Sequence, residues 1–148
     1  MTEKCIDVLF VEDNPGDVRL AKEALAESGA KSNLIVLPGG DQALDYLFRR
    51  GEYSGADLPD IIILDLNLPR KSGHEVLETI KKSSRLRFIP VVILTSSIVE
   101  NDIFQTYDKY ANCYIVKPTS LLEYMQVIKS VLRFWSVAAK LPRRNVYG

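Results

Sequence analysis

The chain has 148 residues, 47% hydrophobic and 26% charged, which fits one globular domain and excludes a disordered one. Lys+Arg and Asp+Glu both number 19, so no net field favours a nucleic acid or an anionic membrane, and Arg143-Arg144 is too small a cluster to change that. No apolar run approaches the roughly 20 residues of a bilayer span, and Met1-Thr2-Glu3-Lys4 followed by Asp7 does not fit a secretory signal, so the expected location is the cytoplasm.

The first apolar, β-branched run, Ile6 to Val11, reads as a buried strand ending in Glu12-Asp13. Asn14 then offers a helix cap with Pro15 at the first helical position, and Val18, Ala21, Leu25 and Ser28 fall on one helical face. Leu34 to Leu37 is the second strand. Residues 51–59, with two glycines and Pro59, read as a long surface loop. Ile61 to Leu64 is the third strand, ending in Asp65, and Ser72 with Glu75 forms a capping box for the next helix. Val91 to Leu94 is the fourth strand, followed by Thr95-Ser96-Ser97. Tyr114 to Val116 is the fifth, followed by Lys117-Pro118, and Ser120 with Glu123 caps a final helix. Alternating strands and helices, with near-continuous apolar strands, predict a parallel sheet covered on both faces.

Cys5 and Cys113 lack metal-ligand spacing and read as small core hydrophobes. His74 reads as a solvent-facing helix residue. The final helix carries two adjacent apolar stripes, one of Leu121, Met125, Ile128, Leu132 and Trp135, the other of Tyr124, Val127, Val131, Phe134 and Ala138. A surface helix needs an arc of only about 100° to cover a sheet. The wider arc here fits either a deeply buried helix or a second stripe that contacts another chain.

Ligand sites in parallel α/β sheets lie beyond the carboxyl ends of the strands. Those ends carry Glu12, Asp13, Asp65, Thr95 and Lys117. Three converging carboxylates call for a compensating cation. Mg2+ suits carboxylate and carbonyl oxygens and bridges readily to phosphate, and Mn2+ would fit as well. An aspartate beside such a cation can act as a nucleophile toward a phosphoryl donor. Asp65 is placed for that role, with the Lys117 ammonium and the Thr95 hydroxyl to meet charge on the transferring oxygens.

Val8-Leu9-Phe10-Val11-Glu12-Asp13-Asn14, Ile63-Leu64-Asp65-Leu66-Asn67-Leu68-Pro69 with Gly73, Leu94-Thr95-Ser96, and Tyr114-Ile115-Val116-Lys117-Pro118 resemble, in order and spacing, the motifs of the receiver domain of two-component response regulators. The resemblance spans nearly the whole chain. It implies a flavodoxin-like fold, a doubly wound five-stranded parallel sheet in strand order 2-1-3-4-5 with five helices. It also implies Asp65 as phosphoacceptor, Asp13 and Asp65 as direct Mg2+ ligands, Glu12 acting through water, and Asn67 supplying its backbone carbonyl. Lys117 would pair with the phosphoryl group from a cis Lys117-Pro118 peptide, and Thr95 and Tyr114 would form a switch pair that repacks the helix 4, strand 5 and helix 5 face.

The loop before Pro59, the Asp65 to Pro69 run, and Phe134-Trp135 with Leu141-Pro142 are similar to the small regulators of cyanobacterial phytochrome-type histidine kinases. That similarity implies a phosphohistidine donor on such a kinase and a homodimer through the helix 5 face. Residues 1–140 are expected to form the receiver, and 141–148 a short tail too small for an output domain. The expected protein is a signalling phosphoacceptor and not an enzyme acting on other substrates. An aspartate-nucleophile phosphatase would want a carboxylate where Asn67 stands. A flavin or nucleotide site would be repelled by Glu12-Asp13 and lacks a glycine-rich loop. A docking module without phosphorylation would have no need of the clustered carboxylates.

Overall fold

The computed structural model describes residues 5–29 and 31–142. Five strands, β1 (Ile6–Val11), β2 (Ser32–Leu37), β3 (Ile61–Leu64), β4 (Val91–Thr95) and β5 (Cys113–Val116), build one sheet in the order β2-β1-β3-β4-β5, with every pairing parallel. Helices α1 (Pro15–Ser28), α2 (Gly40–Leu47), α3 (Gly73–Lys82), α4 (Glu100–Asp108) and α5 (Leu121–Arg133) connect them. The topology is the expected flavodoxin-like one. The β1 and β3 bounds match the apolar runs. β2 begins earlier, because Ser32 pairs with Ile6, and β4 extends by Thr95, which pairs with Val116. Ladder hydrogen bonds thus recruit polar residues that an apolar pattern passes over.

Side chains alternate across the pleat. Leu9, Val11, Ile62, Leu64 and Ile93 face a cluster with Leu44 and Leu47 of α2 and Val76, Leu77 and Ile80 of α3. Val8, Phe10, Ile61, Ile63, Val92 and Leu94 face Ala21 and Ala24 of α1 and Tyr124, Ile128 and Leu132 of α5. The core is therefore two layers separated by the sheet. Each fully buried aliphatic side chain contributes about 1.5–3 kcal/mol relative to exposure.

Local rules account for the helix starts. Asn14 Oδ1 accepts from the N–H groups of Gly16 and Asp17, with Pro15 at the first helical position, while Ser72 and Ser120 accept from Glu75 and Glu123 N–H. Gly29 ends α1 at φ 70, the left-handed conformation that favours glycine.

Several local expectations need correction. The buried seam of α1 is Ala21 and Ala24, whereas Val18, Leu25 and Ser28 are half-buried, since two alanines let the helix approach the sheet closely. Cys5 is exposed just ahead of β1, and Cys113 is half-buried, with burial raising its thiol pKa. The 51–59 loop contains a 3-10 turn, Gly51–Tyr53, and packs Tyr53 and Leu58 on the α2/α3 layer.

The buried seam of α5, made of Tyr124, Ile128, Val131 and Leu132, draws on both stripes. Leu121, Leu122 and Phe134 stand more than half exposed. The helix runs into a π turn, Phe134–Ala138, and Leu141 packs on the α1/α5 layer. Residues 143–148 lie outside the described residues. Among the described residues no helix is long and apolar enough to cross a membrane.

Candidate functional site

The sheet register brings the site together. Val11 pairs with Leu64, so Glu12 and Asp65 leave the sheet side by side, with Asp65 N–H donating to Val11 O at 3.1 Å. Lys117 N–H donates to Thr95 O at 2.7 Å, which carries β5 past the end of β4. Gly73 N–H donates to Leu66 O at 3.0 Å, and a Cβ on Gly73 would lie 2.6 Å from Leu66 Cα. Only glycine lets α3 start so close to the Asp65-Leu66 backbone.

Glu12, Asp65 and Thr95 are buried, while Asp13 is exposed. One carboxylate oxygen each from Glu12, Asp13 and Asp65 lies within 4.8 Å of the others. Lys117 Nζ donates to Glu12 Oε1 at 2.6 Å, Asp17 Oδ2 at 2.8 Å and Asp65 Oδ2 at 2.9 Å. Asn67 N–H donates to Asp65 Oδ1 at 3.0 Å.

Burial alone would raise the Asp65 pKa, but the hydrogen bonds from Lys117 and Asn67 N–H outweigh it and hold the carboxyl below its ordinary value. For Glu12 burial wins over the Lys117 bond, and repulsion from Asp65 adds to it, pushing the carboxyl up to about 7. Burial opposes the Lys117 charge, yet its carboxylate partners more than offset that and keep the ammonium protonated. Without a cation the site therefore holds Asp65 charged and Glu12 near its midpoint at neutral pH.

This donor set fits a hard divalent cation: three carboxylates converge from two strand ends, with no sulfur or imidazole among them. Thr95 Oγ1 is buried without a hydrogen-bond partner. The hydroxyl nonetheless helps to hold the Asp65 carboxyl below its ordinary value. An unsatisfied buried hydroxyl costs about 1–3 kcal/mol, and an oxygen-rich group attached to Asp65 would give it an acceptor.

The response regulator receiver domain family matches residues 8–129. The chain belongs to this family. It is 40% identical over 135 residues to response regulator Rcp1 of Synechocystis sp., covering 91% of this chain and 92% of that protein. It is likewise 40% identical over 128 residues to the probable methanogenesis regulatory protein FilR2 of Methanothrix harundinacea, covering 86% and 82%. Among solved structures, the phosphorylated cyanobacterial phytochrome response regulator RcpA superposes with a TM-score of 0.91 at 45% identity, covering 95% of this chain and 100% of that one. The Mn2+-bound form of Rcp1 superposes with a TM-score of 0.90 at 39% identity, covering 93% and 99%.

In this receiver domain the Lys117-Pro118 peptide departs from expectation: no cis bond occurs among the described residues. The trans form is intrinsically favoured by about 0.5–1 kcal/mol, and from it Nζ already reaches three carboxylates. Tyr114 is half-buried, its hydroxyl donating to Ser97 O at 2.9 Å. The receiver also holds contacts that sequence reading missed. Asp17 was legible only as an acid in the first turn of a helix, where it usually complements the helix dipole. His74, expected to face solvent, pairs through Nε2 with Asp102 Oδ1 at 3.0 Å, and Asp102 Oδ2 accepts from Ser97 Oγ at 2.6 Å. The Asp17–Lys117 and His74–Asp102 pairings join residues 100 and 28 positions apart and have no local pattern.

Proposed function

We propose that this receiver domain is a Mg2+-dependent phosphoacceptor in which Asp65 takes a phosphoryl group from a phosphohistidine of a partner histidine kinase. The observation that carries the reading is the charged Asp65 carboxylate, held by Lys117 at 2.9 Å within an acidic trio at the strand ends. Asp13 and Asp65 would hold the cation directly, Glu12 through water, and Asn67 through its backbone carbonyl. Mn2+ is the alternative ion, as in the Rcp1 structure. The cation, when bound, supplies charge neutralisation to the phosphoryl oxygens.

Asp65 is the nucleophile. Its carboxylate oxygen forms the new bond to phosphorus as the phosphorus–nitrogen bond to the donor imidazole breaks, and the imidazole takes up a proton from solvent. Lys117 gives one of its hydrogen bonds to a phosphoryl oxygen. Thr95, whose hydroxyl is buried beside Asp65 without a partner, donates to another. That move empties space below the β4–α4 loop, and Tyr114 follows inward, carrying the change to the α4, β5 and α5 face.

The likeness to RcpA, a phytochrome response regulator, supports a phytochrome-type histidine kinase as donor. The exposed Phe104, Tyr107, Leu121, Leu122 and Phe134 support a homodimer through the α4, β5 and α5 face. The protein acts in the cytoplasm by changing this contact surface.

Intact mass after incubation with Mg2+ and acetyl phosphate tests the reading. A phosphoryl-sized gain that requires Mg2+ and disappears in Asp65→Asn supports it. No gain in the folded wild-type protein would overturn it in favour of a docking module.

A further inference from the structure

An ammonium group has three protons to donate, and each proton of Lys117 goes to a different carboxylate: Glu12, Asp17 and Asp65. Two of those acceptors, Glu12 and Asp65, belong to the trio that converges on the cation position, and Asp17 does not. A cation drawing on Glu12 and Asp65, and a phosphoryl group bonded to the Asp65 carboxylate as an acyl phosphate, both act on the acceptors of Lys117. Asp17 is the acceptor neither event touches.

Asp17 is also well held. Its N–H donates to the capping Asn14 Oδ1 at 3.1 Å, and its carbonyl accepts from the buried Tyr124 hydroxyl of α5 at 3.4 Å. The backbone of this one residue is thus fixed from the helix cap on one side and from α5 on the other. Its side chain is 23% exposed, against 9% for Lys117, so it is the more solvent-accessible partner of the pair.

We propose, resting on the phosphoacceptor reading, that Asp17 is a positioning residue that anchors the Lys117 ammonium beside Asp65 while cation and phosphoryl group occupy the other carboxylates. With Asp17 in place, one ammonium proton swings from Asp65 to a phosphoryl oxygen while another stays anchored. Without it, the lysine falls wholly onto Glu12 and Asp65 in the metal-free protein and competes with the cation for both. After the cation binds, the lysine loses its fixed direction. Both effects lower cation affinity and slow transfer.

The proposal predicts that Asp17→Asn weakens Mg2+ binding, measured by titration calorimetry on unphosphorylated protein, by roughly five- to tenfold, and slows phosphoryl gain from acetyl phosphate by a similar factor. Loss of a nearby negative charge would weaken binding too, so the decisive comparison is a double-mutant cycle with Lys117→Met. If Asp17 acts through the lysine, Asp17→Asn changes Mg2+ affinity less than about twofold in that background. An unchanged penalty there would overturn the proposal, as would wild-type affinity and rate in Asp17→Asn.

NMR of the Lys117 ammonium in Mg2+-loaded protein, assigned by its loss in Lys117→Arg, gives an independent reading that does not depend on Lys117→Met folding. Slowly exchanging ammonium protons that become fast in Asp17→Asn support the anchor, and equal exchange in both proteins rejects it. Failure of the wild-type protein to take a phosphoryl group would sink the phosphoacceptor reading alone, because the affinity cycle and the ammonium exchange report on the anchor without phosphorylation.

Discussion

The sheet's centre at β3 and β4 and its flank at β5 are built in opposite ways. All four residues of β3 are at most 2% exposed, and every residue of β4 is buried, with a charged cluster held at the strand ends by a lysine with three partners. On β5 the residues are half-buried, Val116 is exposed, and the neighbouring α4 and α5 present Phe104, Leu121 and Leu122 to solvent at 66–67%. The edge of β5 is covered in part by a side chain, since Tyr114 N–H donates to the Tyr107 hydroxyl at 3.1 Å. A tightly determined centre keeps the reacting groups in place, whereas a loosely covered flank can repack at small cost. The unpartnered Thr95 hydroxyl sits at the border between them.

Substitutions in the centre should break this contrast most severely. Ile93→Ala removes a fully buried side chain from β4 and is expected to cost about 2–5 kcal/mol in urea unfolding. A cost below about 1 kcal/mol would mean that the centre relaxes as readily as the flank. Gly73→Ala comes next. Its Cβ would meet the Asp65-Leu66 backbone, which cannot swing away as a flexible side chain can. A loss of about 1–3 kcal/mol is expected, together with slower phosphoryl gain because Asp65 itself is displaced. Gly55→Ala, with nothing within 4 Å of the added Cβ, is the matched control and should leave transfer unchanged.

The centre should also show a particular pH dependence. Glu12 titrates higher in the folded protein, at about 7, than its ordinary 4.5. The folded state therefore binds more protons between those values, and stability falls as pH rises through that window. Asp65 is shifted the other way, so its contribution is lost only as pH falls below the usual carboxylate range and does not cancel the effect. In EDTA, Tm is expected to decline from pH 5 to pH 8, and saturating Mg2+ should flatten the decline by compensating the Glu12 charge. Glu12→Gln should remove the slope. A Tm that rises across this range in EDTA would show Glu12 ionised at its ordinary pKa.

The same contrast explains what could be read in advance. β1 and β3 were legible to the residue because they are buried on both faces and their runs are apolar, broken only by Asp7 in β1. The helix starts at Asn14, Ser72 and Ser120 were legible because capping is local chemistry. Glu12, Asp13, Asp65, Thr95 and Lys117 were legible because each ends or follows a strand whose end the sheet brings to one edge. Asp17 was not, since its contact with Lys117 spans 100 residues and depends on how α1 is rotated against the sheet. The His74–Asp102 pair was hidden for the same reason. The burial of α5 was ambiguous because its buried seam draws on both apolar stripes while Leu121 and Phe134 of the same stripes stay exposed toward the helix ends, a difference periodicity does not carry.

The smallest effects on stability are expected at the exposed apolar residues of α5 and the turn after it, and they sharpen the comparison by separating stability from association. Leu121, Leu122 and Phe134 contribute little to the fold where they stand, because more than half of each is already in water. Leu122→Ser should therefore change unfolding free energy by less than about 0.5 kcal/mol. If the flank is a self-contact surface, the same substitution removes apolar area from the interface and should shift sedimentation equilibrium toward monomer, more so after phosphorylation with acetyl phosphate. The exposed apolar residues of α4, Phe104 and Tyr107, should behave alike if one continuous face is used. Monomer in every variant and in wild type, at concentrations up to the millimolar range, would leave the flank as a docking face for a different protein. Loss of stability comparable to Ile93→Ala would instead show that α5 is packed more deeply than its exposure indicates, and the division between centre and flank would fall.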